Sequence, residues 1–324
     1  ISKDILLLKS EEQNHLRISE FLKSAMKLPD EYVGLSSIQL YYSEIIDSFE
    51  NYSLSFFNFD LRECIEILFQ IDSTILKEKF CEIFDSILYT IYQSQGKKSN
   101  GIVQPIELTR FICELADLPK NSRIFNPFAG PASFGVYFDN DQNYFGQEIN
   151  QKTWAIGALR LMAHNRQINN ISESIATDYL HQDSILSWPN QSEKFDLIVT
   201  HPPFNVKLGP EHFLFNPDIR TLEQFLIQRG VNSLNSKGKL IALLPNNFLF
   251  KSSNQDRILR KNLIKDDLID SIISFPPGLL QNTGIPLIIL VIDKDKQNPG
   301  KVRFIEANNF VDSIDSHNSI LNDF

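Results

Sequence analysis

The sequence predicts an α/β protein: a Rossmann-like, doubly wound, mostly parallel sheet preceded by an all-helical domain. Three observations predict it. Apolar residues from Asp4 to Tyr92 recur at helical steps. From Arg123 onward, short apolar runs alternate with helical patterns, as strands and crossover helices do. Between these regions the polar stretch Ser94-Gln95-Gly96-Lys97-Lys98-Ser99-Asn100-Gly101 reads as a connecting loop. The expected domains are therefore residues 1–95, helical, and 96–324, the sheet domain.

In the first domain, Leu6, Leu7 and Leu8, then Leu16, Ile18, Phe21 and Leu22, form a helical pattern that Pro29-Asp30 closes. A second helix fits Ile38 to Phe49. Asp60 and Glu63 form a capping-box-like start for Leu61 to Phe69, and a longer helix fits Thr74 to Tyr92. Phe56, Phe57, Phe59, Phe69, Phe80 and Phe84 read as core aromatics. After the loop, Pro105 sits where a first helical turn tolerates proline, and a helix follows from Ile106 to Leu115. Strands fit Arg123–Phe125, Tyr144–Glu148, Phe195–Thr200, Leu240–Leu244, Ile269–Ser274, Leu287–Ile292 and Val302–Ile305. Helices fit Ser133–Phe138, Lys152–Asn165, Leu222–Leu234 and Ile258–Ile264.

A chain of 324 residues holds one large or two ordinary domains. No run of eighteen apolar residues suggests a membrane span, and Ile1-Ser2-Lys3-Asp4 is not a signal peptide; its lack of an initiator methionine is expected of a trimmed piece. Cys64, Cys81 and Cys113 lack CxxC spacing and lie in apolar helical patterns. They read as reduced core residues of a cytoplasmic protein, with no metal site. The net charge of −9 opposes non-specific coating of nucleic acid, so any nucleic-acid affinity needs a local basic patch, a further segment or a partner.

The chemistry concentrates in FDLIVTHPPF, Phe195 to Phe204. Leu197-Ile198-Val199 has the content of a buried parallel strand, and ligands of open α/β sheets sit outside the carboxyl ends of such strands. Two prolines fix φ and donate no hydrogen bond, leaving the carbonyls of His201 and Pro202 free to accept, with Phe204 as a flat face beside them. Acceptors beside an aromatic plate suit a flat amine such as an unstacked nucleobase. The same residues also fit a β-turn with a core phenylalanine.

Asn126-Pro127-Phe128-Ala129-Gly130-Pro131-Ala132-Ser133-Phe134 follows a strand and opens a predicted helix, the place where such sheets hold a cofactor. It is not GxGxxG, and Pro131 removes a donor that a pyrophosphate would want, so a phosphate-free cofactor fits better; a ligand-free turn is the alternative. Glu148 ends the next strand, where an acid commonly takes ribose hydroxyls, although a lone acid there is also an ordinary loop residue. Asp183-Ser184 can accept from an adenine amine or simply cap a turn.

These segments, in this order, resemble adenine-specific DNA methyltransferases, most closely the modification subunits of type I restriction-modification systems. The resemblance runs from Gly101 to about Ile305. Gly101 to Pro105 stands where the family has a segment packing on the cofactor, which places Gln104 and Pro105 at the site. Asn126 to Phe134, including Pro127, Phe128, Ala129, Gly130, Ser133 and Phe134, matches the loop holding S-adenosylmethionine. Gly146 to Asn150, with Glu148 and Ile149, matches the ribose site, and Asp183-Ser184 the adenine-ring site. His201-Pro202-Pro203-Phe204 matches the tetrad that holds the target adenine. Gly238 to Pro245, Phe275 to Leu280 and Asn282 to Pro286 look like later family segments. The resemblance implies a methyltransferase-type sheet and methyl transfer to the exocyclic 6-amine of adenine flipped out of double-stranded DNA. It also implies a specificity subunit and a restriction subunit as partners, with recognition carried C-terminally or by that separate subunit.

Four positions depart from the family pattern. His201 stands for Asn, Asp or Ser, and only a neutral imidazole offers an acceptor, so weakened or strongly pH-sensitive catalysis is expected. Asn126 stands for Asp, Gln104 for Thr, and Ala132 for a Gly where positive φ is wanted. The segment from Asn205 to Arg220, with Lys207, His212, Phe213, Phe215 and Arg220, reads as a loop over the flipped base or as ordinary surface. Two other readings stand beside the first: a degenerate methyltransferase kept as a structural or DNA-positioning subunit, and an enzyme acting on RNA or a glutamine side chain.

Overall fold

A computed structural model of the chain describes residues 73–95, 104–164, 166, 178–209, 218–280, 284–313 and 319–322. The helices expected before residue 73 lie outside the described residues, as does Cys64. Contacts divide the chain into a smaller unit, residues 1–84 with 169–174, and a larger one, 85–168 with 175–324. Of the smaller unit, the described part is α1 (Ser73–Glu78) and the first turn of α2 (Phe80–Gln95). The single helix expected over Thr74–Tyr92 is thus two, separated by a turn at Lys79.

The larger unit is built on an eight-stranded sheet. Its strands are β1 (Arg123–Asn126), β2 (Asn143–Glu148), β3 (Asp178–His181), β4 (Phe195–Thr200), β5 (Leu234–Pro245), β6 (Ile269–Phe275), β7 (Leu287–Asp293) and β8 (Arg303–Glu306). Their spatial order is β3-β2-β1-β4-β5-β7-β6-β8. Only β7 runs antiparallel to its neighbours. Helices α3 (Ile106–Ala116), α4 (Gln151–Ala163), α5 (Leu222–Ser233) and α6 (Asn254–Lys265) flank the sheet, and a short hairpin, β9 (Val311–Ser313) with β10 (Ser319–Leu321), follows it.

Alternation along each central strand explains the two covered faces. Phe125, Ile198, Leu240, Ala242, Leu244, Ile288 and Leu290 join α5 and α6 in one core cluster. Their neighbours Ile124, Leu197, Val199, Ile241, Leu243, Leu287 and Ile289 join α3 in another. A strand whose successive side chains enter opposite cores must be apolar throughout, which is why these runs show no polar alternation. Helix α5 starts on a capping box: the Thr221 side chain accepts from Gln224 N, and the Gln224 side chain accepts from Thr221 N.

Two elements differ from expectation. Ser133–Phe138 is a succession of turns rather than a helix, because Gly130 and Ala132 are left-handed (φ 54° and 56°) and Pro131 between them lacks an N–H. Strand β3 carries only two apolar residues, Tyr179 and Leu180, too weak a pattern to show in the sequence.

Candidate functional site

Adjacent parallel strands bring the two principal segments together. Phe125 of β1 pairs with Ile198 of β4, so the two strands end at the same sheet edge, β1 at Asn126 and β4 at Thr200. The loop from Asn126 and the corner from His201 leave from that edge, where the strand order reverses about β1. On the other side Asn126 pairs with Gly146, which puts Glu148, the last residue of β2, beside the loop. The position is the switch-point crevice of a doubly wound sheet.

The loop is held in place by bonds from every side. Asn126, buried, donates its amide to Tyr144 Oη at 3.2 Å and accepts from Phe128 N at 3.3 Å. Ala129 N donates to Gln147 O at 2.9 Å, and Gly130 N donates to Glu148 Oε2 at 3.0 Å. Ala132 N donates back to Ala129 O. The loop carbonyls are met too: Ser184 Oγ donates to Pro127 O and Tyr179 Oη to Gly130 O. Ala132 at φ 56° holds a conformation that costs an L-residue roughly 1–2 kcal/mol, confirming the expectation of positive φ there without the glycine.

This pattern decides what the loop can bind. The four N–H groups between Phe128 and Ala132 are all spent inside the protein, and no helix begins here, so a pyrophosphate finds no donors. Room does exist: a Cβ on Gly130 would meet nothing within 4 Å. The acceptor beside that space is Glu148, whose Oε1 also takes Asn150 N at 2.6 Å. Burial raises the Glu148 pKa, opposed by the amides of Asn150 and Gly130 and by the charge of His181. An unmet donor is also present, because among the described residues the Nε2 of buried Gln104 has no hydrogen-bond partner while its Oε1 accepts from Thr109 Oγ1. A phosphate-free ligand with hydroxyls for a carboxylate and an acceptor for an amide fits these residues.

The other predicted site residues are placed as follows. Pro105 immediately precedes α3, its carbonyl taking Thr109 N at 3.0 Å. Pro127 is buried, and Phe128 half-buried. Phe134 is a core side chain, and Ser133 is buried with its hydroxyl turned to Arg160. Ile149 is exposed, its carbonyl 2.9 Å from His181 Nε2. Asp183 caps its own turn by accepting from Ile185 N.

At the corner, Pro202 is buried and Pro203 exposed. Phe204 packs partly into the core, with its ring centroid 5.0 Å from that of His201. Asn205 follows in a left-handed conformation, φ 58°. Among the described residues, neither Thr200 Oγ1 nor His201 Nε2, both shielded from solvent, has a partner. Burial lowers the His201 pKa to about 4, so the imidazole is neutral at pH 7 and one of its nitrogens is an acceptor. The expected pH sensitivity therefore belongs to acid conditions, where the imidazole takes up a proton and loses its acceptor. After the corner the chain returns to α5, with Leu208 N on Arg220 O and Leu222 N on Val206 O. Lys207 is exposed, whereas His212, Phe213 and Phe215 lie outside the described residues.

Sequence reasoning missed the supporting residues Tyr144, Arg160 and Tyr179. Each acts through a contact to a distant segment, and nothing in local spacing marks such a contact. The Cys113 thiol donates to Phe134 O at 3.9 Å, and burial pushes its pKa up.

The chain is similar to the type I restriction enzyme HindI methylase subunit of Haemophilus influenzae, 25% identical over 249 residues, covering 71% of this chain and 54% of that protein. It spans about half the length of the curated relatives it matches. Its fold is that of the type I restriction-modification methyltransferase subunit from Streptococcus thermophilus, with TM-score 0.60 and 22% identity over 70% of this chain and 51% of that one. A Listeria monocytogenes protein assigned as a class I S-adenosylmethionine-dependent methyltransferase also shares it, with TM-score 0.58 and 17% identity over 91% of this chain and 87% of that one. The model of the N-6 DNA Methylase family matches residues 76–323, the stretch that builds sheet, loop and corner, and the chain belongs to that family.

Proposed function

We propose that this chain is the catalytic part of an adenine-specific DNA methyltransferase that uses S-adenosylmethionine. The observation that carries the reading is the pair of neighbouring strand ends. One bears a loop whose amides are already bonded inside the protein, and the other a proline-fixed corner with a neutral imidazole whose Nε2 has no partner among the described residues. When bound, S-adenosylmethionine supplies an electrophilic methyl group on a sulfonium. The chain's own residues supply the rest. Glu148 takes ribose hydroxyls with Ile149 beside it, the Asn126–Phe134 segment with Gln104 and Pro105 walls the cofactor, and Asp183-Ser184 borders its adenine.

The exocyclic amine of adenine is a poor nucleophile because its lone pair is conjugated into the ring. His201 and the Pro202 carbonyl accept from its two N–H groups, which draws the nitrogen toward tetrahedral geometry and takes the lone pair out of conjugation, while Pro203 stiffens the corner and Phe204 stacks on the base. Positioning and fixed dipoles then do the catalytic work. In the cell the chain works on cytoplasmic double-stranded DNA with a flipped adenine, alongside specificity and restriction subunits. The type I names of its relatives support that setting. Among the described residues no helix is long and apolar enough to cross a membrane.

Two local features support the enzyme reading over the degenerate subunit. The Asn126 amide both donates and accepts, and Ala132 adopts the turn expected of glycine. The test is S-adenosylmethionine-dependent label transfer to an adenine-containing duplex, with a duplex lacking adenine as control. Label on both duplexes, or a methylated glutamine as the preferred product, would overturn the adenine reading.

A further inference from the structure

Behind the loop lies a buried charged cluster that the proposed chemistry does not use. Arg160 of α4 is 2% exposed and Asp85 of α2 is 4% exposed. The guanidinium grips the carboxylate with two bonds, Nε to Oδ1 at 2.6 Å and Nη2 to Oδ2 at 3.0 Å. The same carboxylate accepts from Tyr137 Oη at 3.0 Å, and His164 Nε2 lies 3.2 Å from it. Burial alone would raise the Asp85 pKa; bonds from His164 and Arg160, with the charge of Arg160, hold it well below the usual carboxylate range.

The remaining arm of the fork points at the loop. Arg160 Nη1 donates to Pro131 O at 3.3 Å and to Ser133 Oγ at 3.1 Å. Those two residues flank Ala132, the non-glycine residue held at φ 56°. One nitrogen therefore spans the strained residue, and Asp85 fixes the direction of that nitrogen from behind. Strained backbone persists where its surroundings over-determine it, and here the surroundings are a planar fork with both ends engaged.

We infer that Arg160, oriented by Asp85, is a positioning residue that braces the left-handed turn at Ala132 and so sets the shape of the cofactor wall. The inference rests on the cofactor reading above only for its effect on binding, not for its effect on the loop. It predicts a specific dependence between distant positions. Relieving the strain by Ala132→Gly makes the brace less necessary.

The test uses hydrogen exchange of the peptide spanning residues 127–135 in the ligand-free protein, together with calorimetric binding of S-adenosylhomocysteine. Arg160→Lys keeps a positive charge opposite Asp85 but loses the fork. It is expected to speed exchange of the loop about tenfold and to weaken binding by a similar factor, the scale of one charge-assisted bond. Adding Ala132→Gly is expected to recover most of both losses, which a general loss of core packing would not allow. If Arg160→Lys does not fold, Ser133→Ala removes one acceptor of the arm without touching the ion pair; a smaller loosening, suppressed by Ala132→Gly, is then expected. Unchanged loop exchange in the folded variant, or a defect that Ala132→Gly deepens, would overturn the inference. Absence of S-adenosylhomocysteine binding by the wild type would count against the cofactor reading instead, with the exchange result still deciding the brace.

Discussion

The loop after β1 and the corner after β4 leave neighbouring strands at one sheet edge, yet their hydrogen bonding is opposite. In the loop, amides from Phe128 to Ala132 and the carbonyls of Pro127, Gly130 and Pro131 already have partners inside the protein. At the corner, Thr200 Oγ1 and His201 Nε2 are shielded and have none among the described residues. A segment whose polar groups are satisfied is a rigid wall; it selects by shape and by the few side chains it presents. A segment with buried unmet groups carries a desolvation cost that an incoming donor removes. Under the proposed function, cofactor shape belongs to the first and substrate hydrogen bonding to the second.

The largest effect that would sharpen this contrast is expected from His201→Leu. Loss of a preorganised acceptor should lower the methyl-transfer rate about 10²- to 10³-fold while S-adenosylhomocysteine affinity changes less than about twofold. The wild-type rate should be free of a His201 limb between pH 6 and 8 and should fall toward its pKa of about 4. Stability follows the same sign: the unfolded imidazole, with pKa 6.5, binds a proton that the folded one refuses, so stability falls as pH drops from 6.5 to about 4. A rate limb near pH 6.5 removed by His201→Asn would break the account of the corner.

Next in size is Glu148→Ala, which should weaken S-adenosylhomocysteine binding about ten- to hundredfold by removing the charged acceptor, with the corner's chemistry intact at saturating cofactor. Gly157→Ala probes the wall from outside. Its Cβ would collide with Tyr179 Oη, the group that holds Gly130 O, so denaturant unfolding should show a loss of about 1–3 kcal/mol. Smallest of all is Thr200→Val. Replacing a buried hydroxyl that has no partner among the described residues by a methyl should leave stability within about 1 kcal/mol of wild type, or raise it; a larger loss would mean the hydroxyl is bonded after all.

How far the sequence reaches is visible in the same two segments. The corner was legible because prolines, an apolar strand and an aromatic act locally, and β4 indeed delivers His201 to the sheet edge. The loop's place and its positive φ were legible through Asn126 to Phe134, and Glu148 through its spacing. The loop's form was not. A helix was expected from Ser133, and turns are present because two left-handed residues flank a proline. The bonds that hold it come from Arg160, Tyr179 and Ser184, whose relation to the loop exists only once β3 and α4 have packed. Likewise the electrostatics of His201 depend on burial, which moves its titration below that of an ordinary imidazole.

The most direct measurement is calorimetric titration of S-adenosylhomocysteine into wild type, Glu148→Ala and His201→Leu, each checked for folding. The account predicts saturable binding by the wild type, a loss of at least tenfold in Glu148→Ala, and near-wild-type affinity in His201→Leu. Equal binding by all three would place the ligand away from Glu148, and no binding by folded wild type would contradict the assignment of the loop as a cofactor wall.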